Sequence, residues 1–225
     1  DNVIDLNFYP TKEAENSNLK NRPVGLGMMA LHDVLHKLDI HIDSDEAVKF
    51  SDKLFEFYSM HAIYASSILA SERGKYPTYE GSLWSGNVFP IDSYNNLMAY
   101  RGKQKDPKTG QGQTLEDWNK VRQNVAEFGL RNSNVMAIAP TATIGYINGC
   151  EQSIEPNFSV LFVYENKSGN SYIMNEHFVN DMKELELWTS EVSSLVKSVD
   201  GDLSMLNGDI PEHIKSKYKT AFDRD

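Results

Sequence analysis

Two threonines that follow an apolar run are the residues of this sequence best suited to hold an anion. They lie in Pro140-Thr141-Ala142-Thr143-Ile144-Gly145, directly after the run at 134–139. The length and boundaries of that run predict a buried parallel strand, and Pro140 lacks the N–H group that would continue it. We predict that a helix begins at the threonines, so that its first N–H groups, its dipole and the two hydroxyls form a phosphate cradle. On the pattern alone, a simple N-cap at Thr141 or Thr143 is the favoured alternative.

Three other features could carry chemistry, and each has a plainer interpretation. Glu155 precedes a proline that could orient its carboxylate, but a surface or supporting role is favoured. Cys150 could be a nucleophile or a radical carrier, although a lone cysteine is more often a small buried side chain. His32 and His36 are spaced to share a metal. The sequence shows neither His-Glu-x-x-His nor an evident third ligand, which favours a solvated or partly packed helix face.

The composition restricts the class of protein. The 225 residues are 40% hydrophobic and carry a formal net charge of −10, which is enough apolar material for a core and disfavours nucleic-acid or anionic-membrane binding. No apolar run approaches the roughly 18 residues of a membrane span and no leader pattern opens the chain, so we predict a cytoplasmic protein. Cys150 is the only cysteine, which excludes an internal disulfide, a thiolate zinc cluster and a redox cycle using two thiols of this chain.

The elements that must position these residues indicate an α/β architecture rich in helices. Apolar residues recur at helical spacing in six segments: 28–38, 44–74, 114–129, 176–187, 189–199 and 211–222. Strand patterns occur in three segments: 134–139, 160–164 and 172–174. Three strands are too few for a complete doubly wound sheet or barrel.

Two segments predict loops, and the ends of the chain suggest a fragment. The polar residues 13–18 predict a surface loop, and the segment 101–113, with almost no apolar residue, predicts an exposed loop. The chain starts without a methionine, in what already looks like the middle of a domain, and stops directly after an amphipathic stretch. We therefore expect one partial domain over residues 1–225, a piece of a longer protein.

Four stretches, in this order and spacing, resemble motifs of the large, catalytic subunit of ribonucleotide reductase. They are Asn-Arg-Pro-Val-Gly-Leu-Gly at 21–27, Gly-Leu-Arg-Asn-Ser at 129–133, Ala-Pro-Thr-Ala-Thr-Ile at 139–144 and Ser-Ile-Glu-Pro at 153–156. The opening Asp-Asn-Val-Ile-Asp and the segment 176–188 are similar as well. The resemblance therefore extends over essentially the whole chain.

This resemblance implies reduction of ribonucleotides to deoxyribonucleotides for DNA synthesis by radical chemistry. It implies a ten-stranded α/β barrel made of two halves, of which this chain looks like part of the second. In that family the proline-threonine loop holds the substrate's phosphates. The resemblance thus assigns this role to Thr141, Ala142, Thr143 and Ile144, with Pro140 setting the turn.

The same resemblance suggests two supporting residues and no catalytic residue. Arg131 and Glu155 would support the phosphate loop from behind. The family's Asn-x-Cys-x-Glu loop, its pair of active-site cysteines and its C-terminal cysteine tail do not occur in this sequence. We therefore expect the chain alone to be inactive, since a two-electron reduction by paired thiols cannot run on one cysteine. We assign no metal ligand.

The expected partners follow from what this sequence omits. They are a ribonucleotide, the remainder of the large subunit as a separate or spliced chain from a split or intein-interrupted gene, and a small radical-generating subunit. We expect this chain to bind no cofactor, because the radical would come from a metal-containing small subunit or from cobalamin. Two alternatives stay open: an independent α/β enzyme that binds sugar phosphates or nucleotides, and a non-enzymatic interaction module.

Overall fold

The computed structural model of the protein describes residues 1–102, 115–166, 169–206, 208 and 210–223. The chain forms two compact units, of which unit 1 comprises Asp1–Gly27 and Val48–Ile138, and unit 2 comprises Met28–Ala47 and Ala139–Asp225. Nearly all of the loop predicted at 101–113 lies outside the described residues. The prediction of a single partial domain stays a prediction.

Unit 1 is built from helices around one hydrophobic core. Its helices are α1 (Asn2–Leu6), α2 (Lys12–Asn21), most of α4 (Asp45–Arg73), α5 (Pro90–Tyr100) and α6 (Leu115–Phe128). The buried core side chains come chiefly from α4, α6 and the segment between α4 and α5: Met60, Ile63, Tyr76, Tyr79, Phe89, Trp118, Val121, Val125, Leu130 and Val135. The helices predicted at 44–74 and 114–129 are confirmed as α4 and α6, and α5 was not predicted.

Unit 2 combines short helices with one β-hairpin. Its elements are α3 (Leu31–Lys37), α7 (Ala142–Asn148), β1 (Leu161–Asn166), β2 (Gly169–Met174), α8 (Glu176–Glu184), α9 (Ser190–Ser198) and α10 (Glu212–Lys217), with two 3-10 turns at Leu203–Met205 and Ala221–Asp223. The strands pair antiparallel, with Leu161 opposite Met174. Both strand predictions in this region are confirmed. The helix expected from residue 28 begins only at Leu31, because Ala30 has a left-handed conformation with φ of 66°.

The core of unit 2 packs three helices and the loops between them around the start of the hairpin. Phe178 and Met182 of α8 and Val196 of α9 are completely buried. The other core members are Val160, Leu203, Leu206, Ile210, Ile214 and Tyr218. In α8 the buried residues Phe178 and Met182 are four residues apart, and in α9 the buried Val196 is four residues from the partly buried Val192. This helical spacing of apolar residues explains why the helices at 176–187 and 189–199 were predictable.

The strand predicted at 134–139 is wrong. This segment pairs with residues 24–26 through only three backbone hydrogen bonds, for example from the Leu26 N–H to the Val135 carbonyl at 2.9 Å, and forms an isolated parallel bridge between Leu26 and Met136. The pairing depends on close approach, because a Cβ at Gly27 would lie 2.5 Å from the Ala137 carbonyl oxygen. A single isolated bridge to one short segment is less than the continuous hydrogen-bonded pairing that defines a β-strand.

The surface loop predicted at 13–18 is also wrong, because these residues lie inside α2. The Thr11 hydroxyl oxygen accepts the Ala14 N–H at 3.2 Å and caps the helix, and Arg22 ends it in a left-handed conformation. No residue of α2 is buried. A helix that is polar all round lacks the apolar stripe by which sequence patterns reveal helices. Among the described residues, no helix has both the length and the apolar character that crossing a membrane requires.

Candidate functional site

The proline-threonine loop lies in unit 2 at the start of α7, and most of it is open to solvent. Pro140, Ala142, Thr143 and Ile144 are exposed, and Thr141 is partly buried. Thr141 occupies the N-cap position, as the plainer interpretation expected, but its side chain makes no capping hydrogen bond to the described first turn of α7. The hydroxyl is therefore not used to start the helix.

A neighbouring segment uses the Thr141 hydroxyl instead. The Ser153 N–H donates to Thr141 Oγ1 at 2.8 Å, and the Cys150 N–H donates to the Gly145 carbonyl at 3.0 Å. Thr141 and Ser153 both have left-handed backbone conformations, with φ of 51° and 52°. Such a conformation is costly for a β-branched residue and persists only where neighbouring contacts hold it. The segment at 150–153 thus fixes the shape of the loop.

This arrangement leaves several donors for an anion. The N–H groups of the first residues of a helix have no partner inside the helix, and here these residues are Ala142, Thr143 and Ile144. The first N–H satisfied within the turn is that of Gly145, which donates to the Thr141 carbonyl at 2.7 Å. Because Thr141 Oγ1 accepts the Ser153 bond, its hydroxyl proton can still be donated. Since α7 has only seven residues, these individual donors matter more than the helix dipole.

Two carboxylates meet at the 150–153 segment, one from Glu151 within it and one from Asp33 of α3. Asp33 Oδ2 accepts the Glu151 N–H at 2.7 Å, and the Ala30 N–H donates to the Glu151 carbonyl at 2.9 Å. Burial, and then the negative charge of Asp33, raise the pKa of the Glu151 carboxyl to about 7. His177 Nε2 lies 3.4 Å from Asp33 Oδ1. The Glu151 carboxyl therefore takes up a proton as the pH falls through about 7.

A cavity of about 750 Å³ in unit 2 opens beside this cluster. Charged and polar side chains from α3 and the 150–153 segment line one part of it, and the β-hairpin supplies an apolar wall. The lining includes Asp33, Lys37, Cys150, Glu151, His177, Phe162, Val163, Ile173 and Met174. Ala142 and Tyr146 of α7 also line it. The cavity therefore borders the helix whose first turn contains part of the proline-threonine loop at 140–144, called the threonine loop below.

Comparison with known proteins places the whole chain in one family. The sequence profile of the ribonucleotide reductase barrel domain matches residues 1–225. The chain belongs to this family. The ribonucleoside-diphosphate reductase subunit alpha of Chlamydia pneumoniae is 47% identical over 223 residues, which cover 99% of this chain and 21% of that protein.

More distant members match over the same length. The ribonucleoside-diphosphate reductase large chain of Encephalitozoon cuniculi is 33% identical over 221 residues, which cover 98% of this chain and 27% of that protein. The ribonucleoside-diphosphate reductase large subunit of Monkeypox virus is 34% identical over 221 residues, which cover 98% of this chain and 27% of that protein. This ribonucleotide reductase chain thus spans about a fifth to a quarter of its relatives. The predicted family and fold class, part of a helix-rich α/β barrel, are confirmed.

The two supporting residues suggested by the ribonucleotide reductase resemblance lie in different units. Arg131 is in unit 1, where its guanidinium donates to Asp1 Oδ2 at 3.2 Å and to the carbonyls of Arg73 and Gly74 at 3.0 and 3.1 Å. Glu155 is in unit 2 and is exposed. The member of its motif that bonds to the threonine loop is Ser153. The supporting roles suggested for Arg131 and Glu155 stay predictions.

The histidine pair of this ribonucleotide reductase chain is buried, so the predicted solvated or partly packed face is wrong. His32 and His36 are 1% and 4% exposed, and the His36 ring stacks on Tyr218 with centroids 4.5 Å apart. His32 Nδ1 accepts the backbone N–H of Asn157 at 3.0 Å. Within the described part of the chain, no three His, Cys, Asp or Glu side chains are grouped to hold a metal ion.

Sequence reasoning assigned no role to Ser153, Gly145, Asp33 or Glu151, whose hydrogen bonds connect the threonine loop to the 150–153 segment and that segment to α3. Ser153 and Gly145 lie within or beside recognised motifs, so their neighbourhood was a usable signal. Asp33 belongs to an amphipathic helix 118 residues before Glu151, and nothing in the sequence connects the two.

Proposed function

We propose that this chain is part of the large subunit of a ribonucleoside-diphosphate reductase, and that residues 140–144 hold the phosphates of its ribonucleotide substrate. The observation that carries the proposal is the exposed threonine loop, found in a chain that matches the ribonucleotide reductase barrel domain over its full length. The proteins it resembles are named as the alpha or large subunit of that reductase. The whole enzyme would form deoxyribonucleotides for DNA synthesis.

The loop would bind phosphate through hydrogen bonds rather than through a cationic side chain. The N–H groups of Ala142, Thr143 and Ile144 and the hydroxyls of Thr141 and Thr143 would donate to phosphate oxygens, and Pro140 would set the turn. Hydrogen bonds to a charged acceptor are stronger than neutral ones. Fixing the phosphates in this way would orient the ribose for the reaction, which is how positioning lowers a barrier.

The chemistry itself would come from the remainder of the large subunit, as a separate or spliced chain, and from a source of the radical. Cys150 is the single cysteine, and burial, then the charge of Asp33, raise the pKa of its thiol, so it is a poor thiolate and cannot supply a cysteine pair. The remainder of the large subunit would bring the reactive cysteines. A small subunit containing a metal, or cobalamin, would supply the radical. We propose that this chain alone is inactive and binds no cofactor.

Exposed apolar side chains support association with the remainder of the subunit. Ile144 and Ile147 of α7 are 54% and 74% exposed, and Leu6 and Phe8 near α1 are 84% and 85% exposed. Large apolar side chains exposed in groups usually mark surfaces that are covered in an assembly. A half barrel that needs its other half would present such surfaces.

The phosphate assignment is tested with Thr143, whose side chain is exposed. Thr143→Val removes one donor, and Thr143→Ser keeps it. We expect the valine variant to weaken binding of a ribonucleoside diphosphate and of inorganic pyrophosphate by about 5-fold, as the loss of one hydrogen bond predicts, and the serine variant to bind like the unchanged protein. Calorimetry at fixed ionic strength measures both. The assignment would be refuted if the valine variant bound both ligands as tightly as the unchanged protein does.

The reductase role is tested by reconstitution. We expect no reduction of a ribonucleoside diphosphate by this chain alone, and measurable reduction once a polypeptide carrying Asn-x-Cys-x-Glu and a radical-generating subunit are added. Mass spectrometry of the protein purified at its native level should find such a polypeptide, either associated or spliced. Turnover of a phosphorylated substrate by the isolated chain would favour the independent enzyme instead.

A further inference from the structure

We propose that Asp33 is a positioning residue for the threonine loop, acting through the backbone of residues 150–153. Its carboxylate fixes that segment, and the segment fixes Thr141 and Gly145. The consequence for phosphate binding rests on the function proposed above, whereas the structural connection does not. Asp33 itself would not touch the substrate.

The first connection joins α3 to Glu151. The Glu151 N–H donates to Asp33 Oδ2 at 2.7 Å, and the Glu151 carbonyl accepts the Ala30 N–H at 2.9 Å. Both backbone polar groups of Glu151 are therefore bonded to the start of α3, one to the N-cap residue Ala30 and one to the Asp33 side chain. The Asp33 side chain is only 14% exposed, so water competes little for the carboxylate. A short hydrogen bond to a charged acceptor in such surroundings is among the strong ones.

The second connection joins the same segment to α7. Cys150 and Ser153 each donate a backbone N–H, the first to the Gly145 carbonyl at 3.0 Å and the second to Thr141 Oγ1 at 2.8 Å. These two residues flank Glu151. Cys150 is next to Glu151 and Ser153 is two residues after it, so a displacement of Glu151 would disturb the hydrogen bonds to both Gly145 and Thr141.

Close packing makes this coupling stiff. A Cβ built on Gly145 would lie 3.0 Å from the Cys150 carbonyl oxygen and 3.3 Å from Gln152 Cα, so α7 already touches the backbone of the segment. Thr141 is held at φ of 51°, which a β-branched residue leaves when its neighbours release it. Releasing the segment would thus let Thr141 relax and would misplace the hydroxyl and the N–H groups that follow it.

Asp181 offers a control, because the hydrogen bond and ion pair that its carboxylate makes do not reach the threonine loop or residues 150–153. Asp181 accepts the Tyr218 hydroxyl at 2.7 Å and pairs with Lys217 Nζ at 2.7 Å. These partners lie in α10 and at its end, away in sequence from the threonine loop and from residues 150–153. Replacing Asp181 should lower stability without changing the loop.

The test compares the unchanged chain with three variants by two readouts. Hydrogen exchange measured by mass spectrometry on peptides covering 150–154 reports the structural connection, and calorimetry with inorganic pyrophosphate reports the loop. We expect Asp33→Ala to speed exchange about 10-fold or more and to weaken pyrophosphate binding about 5- to 10-fold. Asp33→Asn keeps an oxygen acceptor and should restore both to within about 3-fold. Asp181→Asn should lower Tm and move neither readout.

Each outcome decides one of the two proposals. Unchanged exchange at 150–154 in Asp33→Ala would overturn the positioning role. Unchanged pyrophosphate affinity in that variant would overturn it as well, provided that the unaltered chain binds pyrophosphate. If the unaltered chain binds no pyrophosphate while exchange still rises in Asp33→Ala, the phosphate assignment fails and the connection stands. Should Asp33→Ala not fold, Asp33→Glu, which displaces the carboxylate by one methylene, is expected to raise exchange and to weaken binding.

Discussion

The backbone N–H of Ser153 donates to Thr141 Oγ1 at 2.8 Å, and both residues have positive φ angles. The hydroxyl that the sequence suggests for a ligand is therefore also a structural acceptor. Thr143 is exposed and lies inside α7, so the two threonines are not equivalent. Substitution of Thr141 should therefore affect stability, whereas substitution of Thr143 should affect only the proposed phosphate binding.

The first prediction concerns the two threonines. Thr141→Val keeps the shape but removes the acceptor of the Ser153 N–H, and we expect it to lower the free energy of unfolding by about 1–2 kcal/mol, because that buried donor is left unsatisfied. Thr141→Ser and Thr143→Val should stay within about 0.5 kcal/mol of the unchanged protein. Urea unfolding measures all three. Equal destabilisation by both valine variants would contradict the bond to Ser153.

The second prediction concerns a buried histidine of unit 2. Neither ring nitrogen of His36 has a hydrogen-bond partner among the described residues, and burial, then His32, lower the pKa of His36 to about 2. We expect His36→Phe to raise the free energy of unfolding by about 1–2 kcal/mol at pH 7.5, because it removes unsatisfied buried polar atoms and keeps the ring that stacks on Tyr218.

The same variant should change the response to acid. The unfolded chain protonates His36 below about pH 6.5 and the folded chain does not, so stability falls as the pH drops through that value. Between pH 7.5 and 5.5 this effect amounts to about 1.4 kcal/mol, and it should vanish in His36→Phe. Unfolding curves at the two pH values measure it, with the exposed His61→Phe as the control. An equal loss on acidification in His36→Phe and in the unchanged protein would exclude His36 as the cause.

The third prediction has the opposite sign and concerns Glu151. The pKa of Glu151 in the folded chain, about 7, lies above the ordinary value of 4.5. Between pH 4.5 and 7 the folded chain therefore keeps a proton on Glu151 that the unfolded chain has lost. The contribution of Glu151 to stability therefore declines as the pH rises from about 4.5 through 7. We expect Glu151→Gln to stabilise the protein at pH 8 and to change little at pH 5. Thermal unfolding at both values tests this, and the exposed Glu155→Gln should have no effect at either.

The fourth prediction concerns the close approach in unit 1. Gly27→Ala places a Cβ 2.5 Å from the Ala137 carbonyl oxygen, which only a backbone shift can relieve. We expect a loss of about 2–3 kcal/mol in the free energy of unfolding. At Gly86 the nearest atom to an added Cβ is 3.4 Å away, so Gly86→Ala should change stability by no more than about 0.5 kcal/mol. Chemical denaturation of both variants decides whether the pairing of 24–26 with 134–137 is as tight as described.

Sequence patterns found those elements whose burial follows their own periodicity. The helices α4, α6, α8 and α9 place apolar residues on one face, and both strands of the hairpin were recognised. The patterns failed at α2, where polar residues cover the whole helix surface, and at 134–139, where an apolar run pairs with one short neighbour. In both cases the structure depends on capping or on a partner segment rather than on the segment's own pattern.

The sequence by itself determined the family, most of the long helices and the position of the threonine loop, because local spacing and contiguous motifs record these features. The tertiary structure decided what holds the loop. Asp33 meets Glu151 across 118 residues, and Ser153 meets Thr141 across 12, through backbone groups that every residue carries. Backbone donors leave no signature in residue types, and only the folded chain brings a distant carboxylate within 2.7 Å of one of them.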